Sequence, residues 1–177
     1  MVWTESGGPD NQAWKTRPMQ IGNPGDPGLA ALLGGQEGGD LVLTADQKRS
    51  LGQGVGTPAA NILAGVAYLL MRSGNYQFQS VASTTDLTTY EVTVKPGDSL
   101  DKIARANGTT VAMLGSMNPA AKAIIKPGQV LKYRKAAIQK VVTTWQTVNT
   151  AFAALRYNKG DPAYQKKLEY CLLIMPK

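Results

Sequence analysis

The stretch YEVTVKPGDSLDKIARANGTTVAMLGSMNPAAKAIIKPGQVLKY, Tyr90 to Tyr133, constrains the fold most, because its periodicity passes from strand to helix and back within one short unit. Tyr90, Val92 and Val94 alternate with Glu91, Thr93 and Lys95, the period of a strand with one face turned inward. Pro96-Gly97 breaks that strand. Asp98 or Ser99 stands where a cap is needed for a helix from Leu100, whose Leu100, Ile103 and Ala104 share a face, and Asn107-Gly108 supplies a left-handed exit. Thr110 is placed to cap a second helix carrying Val111, Leu114 and Met117, which Asn118-Pro119 ends. Ile125 and Pro127-Gly128 lead into a second strand, Val130 to Tyr133. The order is β-α-α-β, with the strands side by side and both helices on one face.

These residues closely resemble a LysM domain. The resemblance rests on the Tyr-x-Val opening, the Lys-Pro-Gly-Asp-Ser-Leu turn, the Ile-Ala of the first helix, the Leu and Asn-Pro of the second, and Ile125 followed by Pro-Gly-Gln-Val-Leu. It implies binding to chains containing N-acetylglucosamine, such as peptidoglycan or chitin, in a shallow groove between the loop after the first strand and the loop before the second. The groove implied here uses Gly97, Asp98, Ser99 and Leu100 on one side and Asn118, Pro119, Ala123, Ile124 and Ile125 on the other. Asp98 and Ser99 also read as caps, and Leu100 and Ile125 as core.

The unit takes about a quarter of a 177-residue chain that is 43% apolar, so the flanks have material for a core of their own. No apolar run reaches the roughly 20 residues that span a bilayer, and the chain opens without the basic and apolar regions of a secretory signal. Delivery to a cell wall is then expected by phage lysis, by specialised secretion or from a precursor. The formal charge is +7, from 19 Lys and Arg against 12 Asp and Glu. The cations are scattered, with no basic run interleaved with aromatics and no helix-turn-helix pattern, which argues against nucleic acid. A bacterial wall, polyanionic through its peptide carboxylates, fits the same attraction.

The sequence has no His and a single Cys, Cys171. That removes Ser-His-Asp and Cys-His chemistry and argues against the usual zinc hydrolase sites, so neither metal nor cofactor is expected and carboxylates are left for catalysis. Cys171 sits in the apolar run Tyr170 to Met175 and reads as a small hydrophobe.

Along the first flank, Val2 to Glu5 reads as a helix end stopped by Ser6-Gly7-Gly8-Pro9. Trp3 and Trp14 are expected as apolar walls for Glu5, raising its pKa as a general acid requires. Leu29 to Gly39 is weakly helical, Thr44-Ala45-Asp46-Gln47 is a capping box, and Pro58 opens a helix that Gly74 follows. Ile62, Val66, Leu69 and Leu70 are expected as its apolar side, with Asn61, Gly65 and Tyr68 on a neighbouring stripe. Asn75 to Thr89 reads as a polar connector. After Arg134 to Ala137, the spacing of Ile138, Val141, Trp145, Val148, Phe152 and Leu155 predicts one long helix with a buried stripe. Gly160 and Asp161-Pro162 stop it, and a last helix, about Ala163 to Leu173, packs Tyr164, Leu168 and Cys171 or Leu172 inward.

With the middle lifted out, the flanks resemble the lytic transglycosylase and goose-type lysozyme superfamily. The ordered signatures are Glu5-Ser6-Gly7, Met19-Gln20-Ile21, Asn61-Ile62 with Ala64-Gly65 and Tyr68-Leu69, and Tyr157-Asn158-Lys159-Gly160 followed by Tyr164. Only Met1 to Thr4 precede the Glu, where the family carries a full helix. The resemblance implies an α+β chain: a mostly helical lysozyme-like domain, discontinuous over residues 1–80 and 136–177, with a LysM domain inserted at 90–134. It implies cleavage of the β-1,4 bond between N-acetylmuramic acid and N-acetylglucosamine, with Glu5 as catalytic acid and base. Ser6, Met19, Gln20, Tyr157 and Asn158 are the implied substrate-binding or supporting residues, with Asn61 and Tyr68 as supporting groups. A transglycosylase needs one carboxyl group and yields a 1,6-anhydro sugar. A lysozyme-type hydrolase needs a second to place water, for which Asp26 and Asp40 are the nearest candidates, each in a turn-like context. A wall-binding protein without catalysis is the remaining reading.

Overall fold

A computed structural model describes residues 1–121 and 124–174. The elements in chain order are α1 (Val2–Ser6), α2 (Gln12–Thr16), α3 (Gly28–Gly34), α4 (Ala45–Gln53), α5 (Pro58–Ser73), β1 (Gly74–Ala82), β2 (Tyr90–Thr93), α6 (Leu100–Ala106), α7 (Val111–Met117), β3 (Val130–Tyr133), β4 (Ala136–Trp145), α8 (Thr150–Arg156) and α9 (Tyr164–Ile174). Single 3-10 turns occur at Gly39–Leu41 and Pro119–Ala121. The fold is α+β, with β1 paired to β4 and β2 to β3. It divides into two compact units, Met1–Tyr76 with Val142–Lys177, and Gln77–Val141.

In the first unit, Met19, Ile21, Leu32, Leu43, Leu51, Val55, Ala64, Ala67 and Met71 form the main core. A smaller cluster, Ala153, Tyr164 and Leu168, adjoins it, and Met1 and Tyr157 pack against both. Local chemistry sets the helix ends. Thr44 caps α4 with a full capping box through Gln47, and Thr57 caps α5 ahead of Pro58.

The buried face of α5 is not the one its large residues suggest. Ile62, Val66 and Leu70 are exposed, and the inward face is Asn61, Ala64, Gly65, Ala67 and Met71. Small residues let neighbouring residues come close to the helix. A Cβ on Gly65 would lie 2.7 Å from Met19 Cβ, and Gly39 is closer still to its neighbour, where a Cβ would fall 1.8 Å from the Leu32 carbonyl oxygen.

The expected long helix over 138–155 is replaced by strand β4 and the short helix α8, and the expected connector from Asn75 carries strand β1. The run Ile138, Val141, Val142, Thr143, Thr144 is β-branched, which restricts χ1 in a helix and suits a pleated surface. Ile138 is 78% exposed and Trp145 53%, so the three-and-four spacing marks no buried stripe. In α9, Tyr164 and Leu168 are buried as read, Cys171 is half-buried beside Thr4 Oγ1 at 3.4 Å, and Leu172 is exposed.

In the second unit, β2 and β3 are antiparallel in the register Tyr90↔Tyr133, Glu91↔Lys132, Val92↔Leu131, Thr93↔Val130. The Tyr90 and Tyr133 rings stack at 5.4 Å. Val94, Ile103, Ala104, Leu114, Ala121, Leu131 and Tyr133 are the core under the two helices. Ser99 caps α6 by accepting from Lys102 N, Thr110 caps α7 by accepting from Met113 N, and Gly108 takes the left-handed conformation at φ 62°.

Candidate functional site

Glu5 lies in the last turn of α1. Gly7 ends that helix at φ 74°, its N–H reaching the Trp3 carbonyl. Ser6 is buried and its hydroxyl donates to Val2 O at 2.7 Å, so it fastens the helix and does not reach the cavity beside Glu5. That cavity, about 240 Å³, is lined by Glu5, Met19, Gln20, Ile21, Asp26, Gly28, Tyr68, Tyr157 and Asn158. Five residues named from the resemblance, Glu5, Met19, Gln20, Tyr157 and Asn158, therefore share one space, drawn from three separate stretches of chain.

The Met19–Ile21 segment is held by Asn61, which is fully buried on α5. Its Oδ1 accepts from Met19 N at 2.7 Å, and its Nδ2 donates to Ile21 O at 2.9 Å and Val55 O at 3.4 Å. Between those anchors Gln20 sits at φ 56°, a left-handed backbone rare for a residue with a side chain. Tyr157, at the end of α8, donates from its phenol to Met19 O at 2.8 Å and meets the Tyr68 ring edge to face at 5.7 Å. Asn61, Gly65 and Tyr68 thus serve the same segment: one clamps it, one makes room for Met19, and one backs Tyr157.

The pKa of the Glu5 carboxyl is raised, first by burial and slightly by Asp161, against the lowering effect of hydrogen bonds from Tyr164 and Asn158 and of the N-terminal ammonium. Tyr164, expected to pack inward and the last member of the ordered signature, donates from its phenol to Glu5 Oε1. Its place six residues after Asn158 in that signature points to this role. Burial and the Glu5 charge push both Tyr157 and Tyr164 far upward, so both remain phenols that donate hydrogen bonds.

Trp3 and Trp14 do not wall Glu5. They meet each other edge to face at 6.0 Å, Trp3 is half-exposed over Gly8, and neither lines the cavity. Residues two apart on a helix differ by about 200° in direction, which sends Trp3 away from Glu5. Met19, Ile21, Tyr68 and Tyr157 supply the apolar wall instead. Of the two other carboxylates, Asp26 lines the cavity, with its oxygens accepting from Gly22 N and Gly28 N, each at 2.8 Å. Asp40 does not line it and lies in the 3-10 turn at Gly39–Leu41.

In the second unit, the named groove residues fall into three kinds. Asp98 accepts from Lys95 N at 2.9 Å and Ser99 caps α6. The Lys95 bond, with Lys102 beside it, holds the Asp98 carboxyl below its ordinary value. Asn118 donates to Leu114 O and Lys132 O and accepts from Lys132 N, tying the end of α7 to β3. Leu100, the first residue of α6, and Ile125, in the loop before β3, pack on the core. Gly97, Ser99, Pro119 and Ile124 are exposed, Ile124 by 74%, while Ala123 lies outside the described residues.

Residues 92–133 match the LysM family. This part of the chain is a LysM domain. LysM domains bind peptidoglycan glycan chains, which implies association with the cell wall. No curated protein and no solved structure matches the chain. Among the described residues, no helix is long and apolar enough to cross a membrane, and no group of three His, Cys, Asp or Glu side chains is arranged to hold a metal ion.

Proposed function

We propose that the chain is a lytic transglycosylase that cleaves the β-1,4 bond between N-acetylmuramic acid and N-acetylglucosamine in peptidoglycan, with Glu5 as acid and base and the LysM domain holding the glycan. The observation that carries this reading is the gathering of Glu5, Met19, Gln20, Tyr157 and Asn158 around one cavity in which burial keeps the Glu5 proton to higher pH. The protonated Glu5 gives its proton to the glycosidic oxygen as the bond to the muramyl C1 breaks. The substrate's own acetamide stabilises the cationic centre, while Tyr164 and Asn158 stabilise the carboxylate left behind. Glu5 then takes the proton of the muramyl 6-hydroxyl as that oxygen bonds to C1. The product is the 1,6-anhydro sugar, and Glu5 is protonated again.

A hydrolase would use a second carboxylate to place water. Asp26 is the one in the cavity, and its bonds to Gly22 N and Gly28 N suit a loop-ordering role, which favours the transglycosylase outcome. Wall binding without cleavage is the second reading, favoured by the confinement of the family match to residues 92–133. The test is release of soluble muropeptides from purified sacculi. Release that Glu5→Gln abolishes while sacculus binding persists supports catalysis at Glu5, and binding without release by the unaltered protein supports the second reading.

A further inference from the structure

Gln20 forms one wall of the Glu5 cavity. Gln20 also lines a second, larger cavity, about 560 Å³, together with Gln12, Thr16, Arg17, Asn23 and Gly56. A polymer lying against Glu5 therefore has a neighbouring space for a substituent, with Gln20 as the shared wall. Among the residues lining that space, Arg17 alone carries a formal charge, and no carboxylate opposes it.

Arg17 is half-buried and set in a fixed frame. Its carbonyl accepts from Gln20 N at 3.0 Å and from Gln20 Nε2 at 2.8 Å. Its Nη1 donates to Asn23 Oδ1 at 3.1 Å, and Asn23 Nδ2 donates to Gln20 Oε1 at 2.8 Å. The one Asn23 bond uses a single N–H of a guanidinium that has five in a planar fork, a geometry matched to a carboxylate. Neutral sugar hydroxyls and acetamides need no such cation. The peptide stem on the muramyl residue of peptidoglycan carries the carboxylates that do.

We propose that this cavity is a carboxylate-binding subsite in which Arg17 receives a carboxylate of the peptide stem, so that peptide-bearing glycan is preferred over bare glycan. The proposal rests on the reading of Glu5 as the catalytic group. Arg17 is a specificity residue, acting on the substituent and not on the scissile bond.

The experiment compares cleavage of peptide-bearing glycan strands with cleavage of strands stripped by an amidase, for the unaltered protein, Arg17→Gln and Arg17→Lys. The unaltered protein is expected to prefer the peptide-bearing strands by about tenfold, the scale of one charge-assisted hydrogen-bonded pair. The ratio falls toward one in Arg17→Gln and partway in Arg17→Lys. A ratio that Arg17→Gln leaves unchanged, even if both rates drop, overturns the proposal, because it marks Arg17 as a support for the loop.

A second arm measures binding of a soluble disaccharide-peptide, with its carboxylates free or amidated, by calorimetry in the Glu5→Gln background. Loss of the free-acid preference on adding Arg17→Gln supports the subsite. Equal binding of both forms before that change overturns it. If neither strand is cleaved by the unaltered protein, the Glu5 reading has failed and this binding arm alone decides on Arg17.

Discussion

The phenol of Tyr164, the first residue of α9, donates a hydrogen bond to Glu5 Oε1 in the last turn of α1, joining positions 159 residues apart. Burial pushes the Glu5 proton on, and this bond draws it off. In the proposed mechanism, the balance between them sets the pH up to which Glu5 keeps a proton to give.

Replacing Tyr164 by Phe removes a contact that favours the carboxylate, so the pKa of Glu5 rises further. The alkaline limb of the pH–rate profile for muropeptide release is expected to move to higher pH. The maximal rate falls by about tenfold, because the carboxylate formed on proton transfer loses a charge-assisted bond. An unmoved limb would show that Tyr164 only packs.

The same raised pKa makes Glu5 a liability to the fold once ionised. A carboxyl with a folded pKa above its unfolded value contributes stability that is fully present below the unfolded value and lost as pH rises through the folded one. Glutamine does not titrate. The melting temperature of Glu5→Gln minus that of the unaltered protein is therefore expected to grow as pH is raised from about 4 to about 8. Thermal unfolding by circular dichroism over that range measures it, and a difference that shrinks with rising pH contradicts a raised Glu5 pKa.

Two changes on α5 act on the cavity from behind. Asn61→Ala strands Met19 N and Ile21 O, and an expected loss of roughly 3 kcal/mol follows from orphaning buried backbone groups. Gly65→Ala places a methyl against Met19 and is expected to lose about 1–3 kcal/mol by overpacking, together with activity, since Met19 lines the cavity. Urea unfolding measures both.

How much of this was readable in the sequence depended on how local the cause was. The caps at Thr44, Thr57, Ser99 and Thr110 and the exit at Gly108 are decided within a few residues, and the alternation of Tyr90, Val92 and Val94 shows directly. The face of α5 was misread because close approach, met by Ala64, Gly65 and Ala67, outweighed side-chain size. Residues 138–145 differ from the expectation because three-and-four spacing also threads through a β-branched run, and the partner strand β1 lies far away in sequence. In the cavity, Met19, Gln20, Tyr157 and Asn158 follow Glu5 in the order of the signature. Yet the Tyr164 bond, the Asn61 clamp and the true apolar wall all depend on contacts across long separations.

In the LysM domain, two residues of the named groove separate structure from binding. Asn118→Ala removes bonds to both Leu114 and β3 and is expected to destabilise the domain by about 2–3 kcal/mol, weakening sacculus binding through unfolding. Ile124 is exposed, so Ile124→Ala is expected to change stability by less than about 0.5 kcal/mol while weakening binding severalfold. Co-sedimentation with sacculi, alongside thermal unfolding, distinguishes the two.

Whether Glu5 works as a single acid and base, without a second carboxylate placing water, is read from the mass of the released disaccharide-peptide. Digestion of purified sacculi is expected to yield 1,6-anhydro-muramyl products, lighter by one water than the hydrolysed form, and to yield none with Glu5→Gln. Products carrying a reducing muramyl end, or the absence of any release by the unaltered protein, would contradict it.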